Sequence, residues 1–330
     1  MITEREINRR RWLVRLLIVL AVLPALIWGF VPKEPVVTAQ TFDPASLGDA
    51  PVANFVARDA DTPGITPGAE RSVVWAGDEG MRSDIVLVYL HGFSATAQEI
   101  RPVPERVAEN LGANLVFMRL TGHGRDGAAL ATATVENWMH DVDESLAVAR
   151  AMGDRVVVIG TSTGGTLAAM AAATGREIDG IVFISPNFGI SSGAAFLLTL
   201  PGVRHWGPPL FGRTRSWEPV NEAQALYWTE SYPTEALFPM AALVEATVLL
   251  DHRAIATPAL FYFSDEDQVV DSRKTHGIAA AWGGPAEVRT VEVAPGDDPS
   301  HHVIAGDIMS PGRTEATVAD LTDWISALDE

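Results

Sequence analysis

The sequence predicts an α/β fold with a doubly wound, mostly parallel sheet. From about residue 71 onwards, short β-branched runs alternate with helical stretches, which is the pattern of strands joined by crossover helices. Several runs, such as residues 85–90, are apolar at every position, as expected for strands that helices cover on both faces. The predicted strands are residues 72–75, 85–90, 114–120, 155–159, 180–184, 259–263 and 288–293.

The overall composition supports a globular fold and excludes several other classes. The chain has 330 residues, of which 47% are hydrophobic and 20% charged, and this excludes a disordered, collagen-like or coiled-coil protein. It has no cysteine, so it has no disulfide, cysteine nucleophile or thiolate metal site. The formal net charge of −18 argues against a nucleic-acid partner, because phosphate binding requires basic patches.

Residues 1–31 have the pattern of a cytoplasmic N-terminus followed by a membrane anchor. They contain five arginines and two glutamates, and residues 12–31 form an apolar run interrupted only by Arg15. A run of this length can span a bilayer, and the arginines would stay in the cytoplasm. We therefore expect a single-pass membrane protein with the rest of the chain on the non-cytoplasmic side. Two alternatives are a cleaved signal peptide, with residues 37–39 as the cleavage site and a secreted product, and a buried core helix.

The remaining chain divides into a tether, an α/β domain and an insertion. Residues 32–70 are rich in Pro, Ala, Thr and Asp without a clear period, and we expect a tether there. Residues 71–330 form the predicted α/β domain. About 70 residues separate two of its strands, too many for a simple crossover helix. This interval, residues 186–254, is rich in aromatic residues, which either line an apolar pocket or form only the interval's own core.

A serine lies between a predicted strand and a predicted helix. The strand at residues 155–159 runs into Gly160-Thr161-Ser162-Thr163-Gly164, and an alanine-rich helical stretch follows. Gly-x-Ser-x-Gly in this context forms a sharp turn whose small neighbours lift the serine hydroxyl above the sheet. The sequence therefore predicts Ser162 as a nucleophile, with the N–H of Thr163 facing the same space. The alternative is an incidental glycine-rich turn.

Another loop follows the strand at residues 85–90 and begins with His91-Gly92-Phe93. A loop at this end of a parallel sheet can bring a backbone N–H to the oxyanion that forms during acyl transfer. We expect the N–H groups of Phe93 and Thr163 to form this oxyanion hole. His91 is expected to organise the loop through hydrogen bonds.

Acidic residues and histidines follow the last two predicted strands. Asp265, Glu266 and Asp267 come after the strand at residues 259–263, and His301 and His302 follow the strand at 288–293. A hydroxyl nucleophile needs a base, and the base needs an orienting carboxylate. The chain order of serine, acid and histidine is the order typical of this sheet architecture. These residue types alone leave both the choice of acid and the choice of histidine open.

At these motifs the chain resembles the α/β-hydrolase superfamily, and most closely its bacterial carboxylesterase, monoacylglycerol lipase and lysophospholipase-like branch. The resemblance covers residues 71–328. It implies Ser162 as nucleophile, His302 as base and Asp267 as the carboxylate that orients the base. It also implies a structural role for His123. For residues 186–254 it implies a lid, or cap, that lines an apolar acyl pocket. The matching motifs are Leu90-His91-Gly92-Phe93, Thr121-Gly122-His123-Gly124, Trp138 with Asp141, Gly160-Thr161-Ser162-Thr163-Gly164, Asp267-Gln268-Val269-Val270 and His302-Val303-Ile304.

The leading functional expectation is a membrane-tethered serine esterase or lipase that needs no cofactor and no metal. Its substrate would be a small-molecule or lipid acyl ester, such as an acylglycerol or a lysophospholipid, cleaved through an acyl-enzyme. A serine peptidase or amidase with the same triad is the first alternative, because the two reactions share their catalytic residues. A non-catalytic binding protein on the same fold is the second, although the complete triad argues against it. The fold alone does not identify the substrate.

Overall fold

A seven-stranded sheet forms the centre of the structure, a computed structural model that describes residues 4–329. The strand order is β1-β3-β2-β4-β5-β8-β9; β1 is antiparallel to β3, and the other pairs are parallel. Strands β6 and β7 form a separate antiparallel pair. The strands are β1 (Ser72–Val74), β2 (Ser83–Leu90), β3 (Asn114–Met118), β4 (Gly153–Thr161), β5 (Gly180–Ile184), β6 (Thr214–Ser216), β7 (Ser231–Pro233), β8 (Ala259–Phe263) and β9 (Ala286–Thr290).

Helices cover both faces of the large sheet. Side chains alternate between the two faces along a strand, so in β2 Val88 lies in the core that contains Trp138, whereas Leu87 lies in the core that contains Leu321. The predicted α/β fold with a mostly parallel sheet is confirmed. The helices are α1 (Glu4–Phe30), α2 (Pro51–Ala57), α3 (Val103–Leu111), α4 (Gly127–Leu130), α5 (Val135–Met152), α6 (Thr163–Ala173), α7 (Val203–Phe211), α8 (Glu222–Tyr227), α9 (Leu237–Val248), α10 (Ser272–Ala281) and α11 (Thr314–Ser326).

The predicted bounds of the last strand differ from those observed. The alternating pattern predicts residues 288–293, whereas β9 begins at Ala286 and ends at Thr290. This strand lies at the sheet edge, pairs only with β8 and is largely exposed, so its apolar residues do not mark its limits. The Val291 N–H still donates to the Phe263 carbonyl at 2.9 Å, beyond the end of the strand.

The prediction of a membrane anchor and of a single-pass location is wrong. Residues 12–30 do form part of a helix, α1. However, within residues 4–329, as far as they are described, no helix is both long enough and apolar enough to cross a bilayer. The physical reason lies in the charges at the start of α1. Beyond Arg15, its last charged residue, α1 extends for only about 22 Å at 1.5 Å per residue, less than the ~30 Å of the hydrocarbon core.

The segment between α1 and β1 packs onto the α/β body. Phe42, Leu47 and Phe55 are buried in the same core as the inner face of α5. Beside them, the carboxylate of Asp59 contacts the buried guanidinium groups of Arg71 and Arg119, at 3.1 and 2.5 Å. Residues close to the N-terminal helix are therefore tied to the sheet by both apolar and ionic contacts.

Candidate active site

Ser162 occupies a strained turn between β4 and α6. Its backbone has φ 51° and ψ −114°, a conformation that costs of order 1–3 kcal/mol and persists only when neighbouring structure holds it. The flanking glycines allow close approach of the chain to itself. A Cβ on Gly160 would lie 2.7 Å from the backbone of Gly164, and a Cβ on Gly164 would lie 2.0 Å from the Leu90 carbonyl oxygen.

Hydrogen bonds fix this turn against the next strand. The Ser162 N–H donates to the Ile184 carbonyl at 2.9 Å, and the Ser162 carbonyl accepts from the Asn187 N–H at 3.0 Å. Thr163 is the first residue of α6. Amide groups at a helix N-terminus have no partner within the helix and point along the positive end of its dipole. The Thr163 N–H is therefore placed to stabilise negative charge that develops near the serine.

The loop that carries Phe93 lies next to the same turn. The close approach of Gly164 to the end of β2 brings this loop and the first turn of α6 together. The Gly92 N–H donates to the buried carboxylate of Glu99 at 2.7 Å. The Phe93 ring packs edge-on against Tyr232, with ring centroids 5.5 Å apart. The loop is thus held by a hydrogen bond to a carboxylate and by contact with an aromatic ring.

His91 is a neutral, fully hydrogen-bonded part of this loop. Its Nε2 accepts from the Leu120 N–H at 3.1 Å, so Nδ1 carries the proton and donates to the Gly92 carbonyl at 2.9 Å. Burial lowers the pKa of His91 to about 4. Burial also holds the pKa of the neighbouring His123 well below its usual value. These surroundings match the structural roles expected for both histidines.

Asp267, in the loop after β8, and His302, in the loop after β9, form a hydrogen-bonded pair. Nδ1 of His302 lies 2.7 Å from Oδ2 of Asp267. The other carboxylate oxygen accepts from the N–H groups of Val269 and Val270, at 2.8 and 2.9 Å. The Asp267 side chain is only 1% exposed. Because Nδ1–H donates to Asp267, Nε2 of His302 is left as the acceptor.

The protonation of His302 reflects two opposing effects. Burial alone would lower its pKa, but the negative charges of Asp267, Asp298 and Glu99 outweigh burial and raise the pKa of His302 above its usual value. Carboxylates beside an imidazole favour the imidazolium form. The surroundings of His302 therefore stabilise the charge that a general base acquires when it accepts a proton.

Asp265 and His301, the alternative acid and the alternative base, contact other residues. Asp265 is 58% exposed and bonds Nε2 of His276 on α10 at 2.7 Å. His301 has a positive φ of 56°, and its Nδ1 lies 3.0 Å from Glu266. The structure thus brings Asp267 together with His302 and places Asp265 and His301 in separate pairs.

Asp298, which the sequence patterns did not single out, fixes the loop of His302. Its buried carboxylate accepts from the backbone N–H groups of His302 and Val303, at 3.0 and 2.8 Å. It also accepts from the N–H and the hydroxyl of Ser300. An Asp followed by Pro and Ser is a local turn signal that could have identified this residue. Glu99 carries no comparable signal, because its bonds to Tyr89 and Gly92 depend on how β2 and the following loop pack.

The site as a whole provides a strained hydroxyl, an oriented imidazole and backbone donors at one end of the sheet. These are the groups that acyl transfer to a serine requires. Among the residues that the structure describes, no group of three or more His, Asp or Glu side chains is arranged to hold a metal ion.

Comparisons with known proteins match this fold. Residues 82–296 match a family model described as Hydrolase_4, serine aminopeptidase S33. The thermostable monoacylglycerol lipase of Bacillus sp. (strain H-257) is 30% identical over 185 residues, which cover 56% of this chain and 71% of that protein.

Solved structures agree at the level of the fold. A structure of the metagenome-derived lipolytic enzymes LipS and LipT has a TM-score of 0.66 and 22% identity, covering 80% of this chain and 99% of that one. The monoacylglycerol lipase of Paleococcus ferrophilus has a TM-score of 0.59 and 15% identity, covering 78% and 98%. The predicted resemblance to the esterase and monoacylglycerol lipase branch, and the expectation of an enzyme, are confirmed. The chain belongs to the serine aminopeptidase S33 family of α/β hydrolases.

Proposed function

We propose that the protein is a serine hydrolase that cleaves carboxylic esters of the acylglycerol type through an acyl-enzyme. The observation that carries this proposal is the 2.7 Å bond between Asp267 and His302, at the same end of the sheet as the strained Ser162 turn. The kinship with a monoacylglycerol lipase supports an acyl ester as the substrate.

In the proposed mechanism, Ser162 Oγ attacks the ester carbonyl while Nε2 of His302 accepts the hydroxyl proton. Asp267 stabilises the resulting imidazolium. The N–H groups of Phe93 and Thr163 bind the oxyanion of the tetrahedral intermediate. His302 then gives its proton to the leaving alcohol. Water attacks the acyl-enzyme with His302 again as base, which releases the carboxylic acid and restores Ser162.

The proposed cap, residues 186–254 of a catalytic domain at residues 71–330, supplies a place for the acyl chain. A pocket of about 230 Å³ is lined by residues of this segment and by Lys274 of α10. Asn187, whose N–H binds the Ser162 carbonyl, directly precedes the first lining residue, Phe188. The pocket is lined mainly by apolar side chains, including Phe188, Ile190, Phe196, Val244 and Leu249.

An aminopeptidase is the second candidate, because the family description names that activity. Such an enzyme must bind the ammonium group of a peptide N-terminus, which calls for an available carboxylate. Glu245 lines the pocket, but it is paired with Lys33 at 3.2 Å and accepts the Thr199 hydroxyl at 2.9 Å. This pairing favours an uncharged acyl chain over a cationic substrate.

A substrate series tests the proposal. The purified chain is assayed with p-nitrophenyl esters of increasing acyl length, with a monoacylglycerol, and with aminoacyl-anilides, using Ser162→Ala as the control. We expect ester turnover that the control lacks, and little anilide turnover. Faster turnover of anilides than of esters would support the aminopeptidase instead. No turnover of any substrate by the folded wild-type chain would contradict a serine hydrolase of either kind.

A further inference from the structure

Another buried carboxylate, Glu99, lies next to the proposed active site. It ends a short 3₁₀ turn, Ala97–Glu99, that follows the loop of Phe93, and it is only 2% exposed. Its Oε1 accepts from the Gly92 N–H and from the Tyr89 hydroxyl, each at 2.7 Å. Burial of a carboxylate is unfavourable unless its oxygens are bonded. The acyl-transfer steps proposed above make no use of this group.

The remaining oxygen of Glu99 lies close to the nucleophile. A Cβ built on Gly92 would lie 2.9 Å from Glu99 Oε2 and 3.3 Å from Ser162 Cβ. Glu99 Oε2 and Ser162 therefore approach the same point, and the absence of a side chain at Gly92 makes this approach sterically allowed.

Gly306, on the loop after His302, is equally close to the Glu99 turn: a Cβ built on Gly306 would lie 2.9 Å from the Glu99 carbonyl oxygen. The Glu99 turn thus contacts the loops of the nucleophile, the oxyanion donor and the base.

The charges around Glu99 come from several elements. Burial raises the pKa of Glu99 to about 7, and the hydrogen bonds of Tyr89 and Gly92 and the positive form of His302 oppose this rise. Conversely, the charge of Glu99 raises the pKa of His302. Two residues after this turn, Arg101 is paired with Glu105 of α3.

Other titratable groups face the Glu99–His302 pair. Asp267 and Asp298 act on His302 from the acid loop and from the base loop. The buried Tyr89 on β2 has its pKa raised by burial and by Glu99. The neighbouring His91 is neutral at the end of β2. Glu99 therefore shares its surroundings with two other carboxylates that act on the same imidazole.

We propose that Glu99 is a positioning residue with two roles: its Oε1 fixes the oxyanion loop through Gly92, and its negative charge stabilises the imidazolium form of His302. The proposal rests on the proposed ester hydrolysis and deepens it. Ser162, Asp267 and His302 carry out the bond changes, and Glu99 adds to the charges of Asp267 and Asp298 that determine the pH at which the base is active. It does so because an ionised Glu99 makes the protonated form of His302 more favourable.

Substitution by Gln separates the two roles. Glu99→Gln keeps an oxygen that accepts from Gly92 and Tyr89 but removes the charge. We expect the acid limb of the kcat/KM profile to move to lower pH by about 0.5–1 unit, because His302 loses a stabilising negative charge. Glu99→Ala removes the acceptor as well, and we expect kcat to fall about 10²-fold or more, as when one oxyanion donor is lost. Glu105→Gln, which removes a nearby partly exposed charge, is the matched control and should leave the profile in place.

A second variant and a second readout keep the test decisive. Tyr89→Phe removes a hydrogen bond that favours ionised Glu99, and we expect the acid limb to shift in the same direction by a smaller amount. NMR titration of the His302 ring reports its pKa without any turnover, so it separates this proposal from the ester-hydrolase proposal. A lower His302 pKa in Glu99→Gln supports the proposal even if no ester is cleaved. An unchanged or higher His302 pKa in folded Glu99→Gln would overturn it.

Discussion

At the scale of single residues, backbone donors distinguish one carboxylate from its neighbours. Asp265, Glu266 and Asp267 lie within three positions of one another, but two N–H groups hold only Asp267 in place beside His302. A carboxylate that is fixed by backbone donors keeps the imidazole in one orientation and one tautomer. The exposed Asp265 is bound to a helix side chain instead.

The first prediction concerns these two acids. Asp267→Asn should lower kcat for a p-nitrophenyl ester by about 10⁴-fold, the loss known for the equivalent change in serine proteases, because the amide selects the wrong imidazole tautomer. Asp265→Asn, the matched control, should change kcat by less than about 3-fold, since its contact is an exposed one. Steady-state kinetics at saturating ester measures both. A larger loss in Asp265→Asn than in Asp267→Asn would show that the acid is misassigned.

The pairing of acid and histidine is the part of the site that the sequence motifs predicted, because motif residues follow successive strands and meet at one sheet end. The motifs predicted neither Asp298 nor Glu99. The Asp-Pro-Ser turn signal marks Asp298, but Glu99 has no local signal. Glu99 meets Tyr89 and Gly92 through bonds that depend on how β2 and the 3₁₀ turn pack. No local spacing reports such packing.

At the scale of elements, the turn between β4 and α6 depends on atoms of a different strand. Gly164 packs against the end of β2 so closely that no side chain fits. The Gly-x-Ser-x-Gly motif predicted this turn because the same close approach recurs wherever a strand, a sharp turn and a helix are joined in this way. Edge strand β9 has no such constraint. The sequence pattern therefore predicts its first and last residues two and three positions too late.

Two glycine substitutions test this account of the turn. In Gly164→Ala the new Cβ would lie 2.0 Å from the Leu90 carbonyl oxygen, and we expect a loss of stability of about 3 kcal/mol or more from overpacking. Gly277→Ala is the control, because a Cβ there meets nothing within 4 Å inside α10. Replacing a mid-helix Gly by Ala should stabilise by about 0.5–1 kcal/mol. Urea unfolding measures both; equal stabilities for the two variants would contradict the close packing at the turn.

The N-terminal helix is the element for which the sequence pattern led to a wrong location. The predicted membrane span, residues 12–31, includes Arg15. The uncharged part of α1 beyond Arg15 is shorter than the hydrocarbon core of a bilayer. The apolar run and its length indicate a helix there. They did not determine its environment.

At the scale of the whole molecule, buried charges join the N-terminal segment to the sheet. Asp59 bonds both Arg71 and Arg119, and Arg71 also bonds the buried Glu144 of α5 at 2.8 Å. Burial would raise the pKa of Asp59, but its bonds to Arg119 and Arg71 outweigh burial and lower it. Because the folded-state pKa is lowered, this stabilisation is present above the unfolded-state pKa and is lost as pH falls through the folded value.

Removing the shared carboxylate charge should therefore weaken the whole fold. Asp59→Asn leaves the buried Arg119 without its charged partner and leaves Arg71 with only Glu144. Breaking a buried pair in this way typically destabilises by about 3–5 kcal/mol. Glu315→Gln is the control, because it breaks an ion pair with Arg106 in which the Glu315 side chain is 77% exposed. This variant should leave the unfolding midpoint unchanged. Thermal unfolding at neutral pH compares the two. An unfolding midpoint for Asp59→Asn equal to that of the wild type would mean that the cluster does not stabilise the fold.

The cluster also shows a limit of sequence patterns. Asp59 and Arg119 are far apart in the chain, and nothing in the tether-like composition of residues 32–70 indicates a partner in the sheet. Strand and helix periodicity predicted the layers of the fold, because each layer buries a repeating face. Long-range ion pairs between irregular segments have no such repeat.

Labelling by a fluorophosphonate probe, mapped by peptide mass spectrometry, tests the central claim most directly. The probe reacts only with a serine whose hydroxyl is activated by a base. We predict that the wild-type chain is labelled at Ser162, that His301→Ala keeps this labelling, and that folded His302→Ala loses it. Labelling at another serine, or retained labelling in His302→Ala with loss in His301→Ala, would contradict the assignment of Ser162, Asp267 and His302.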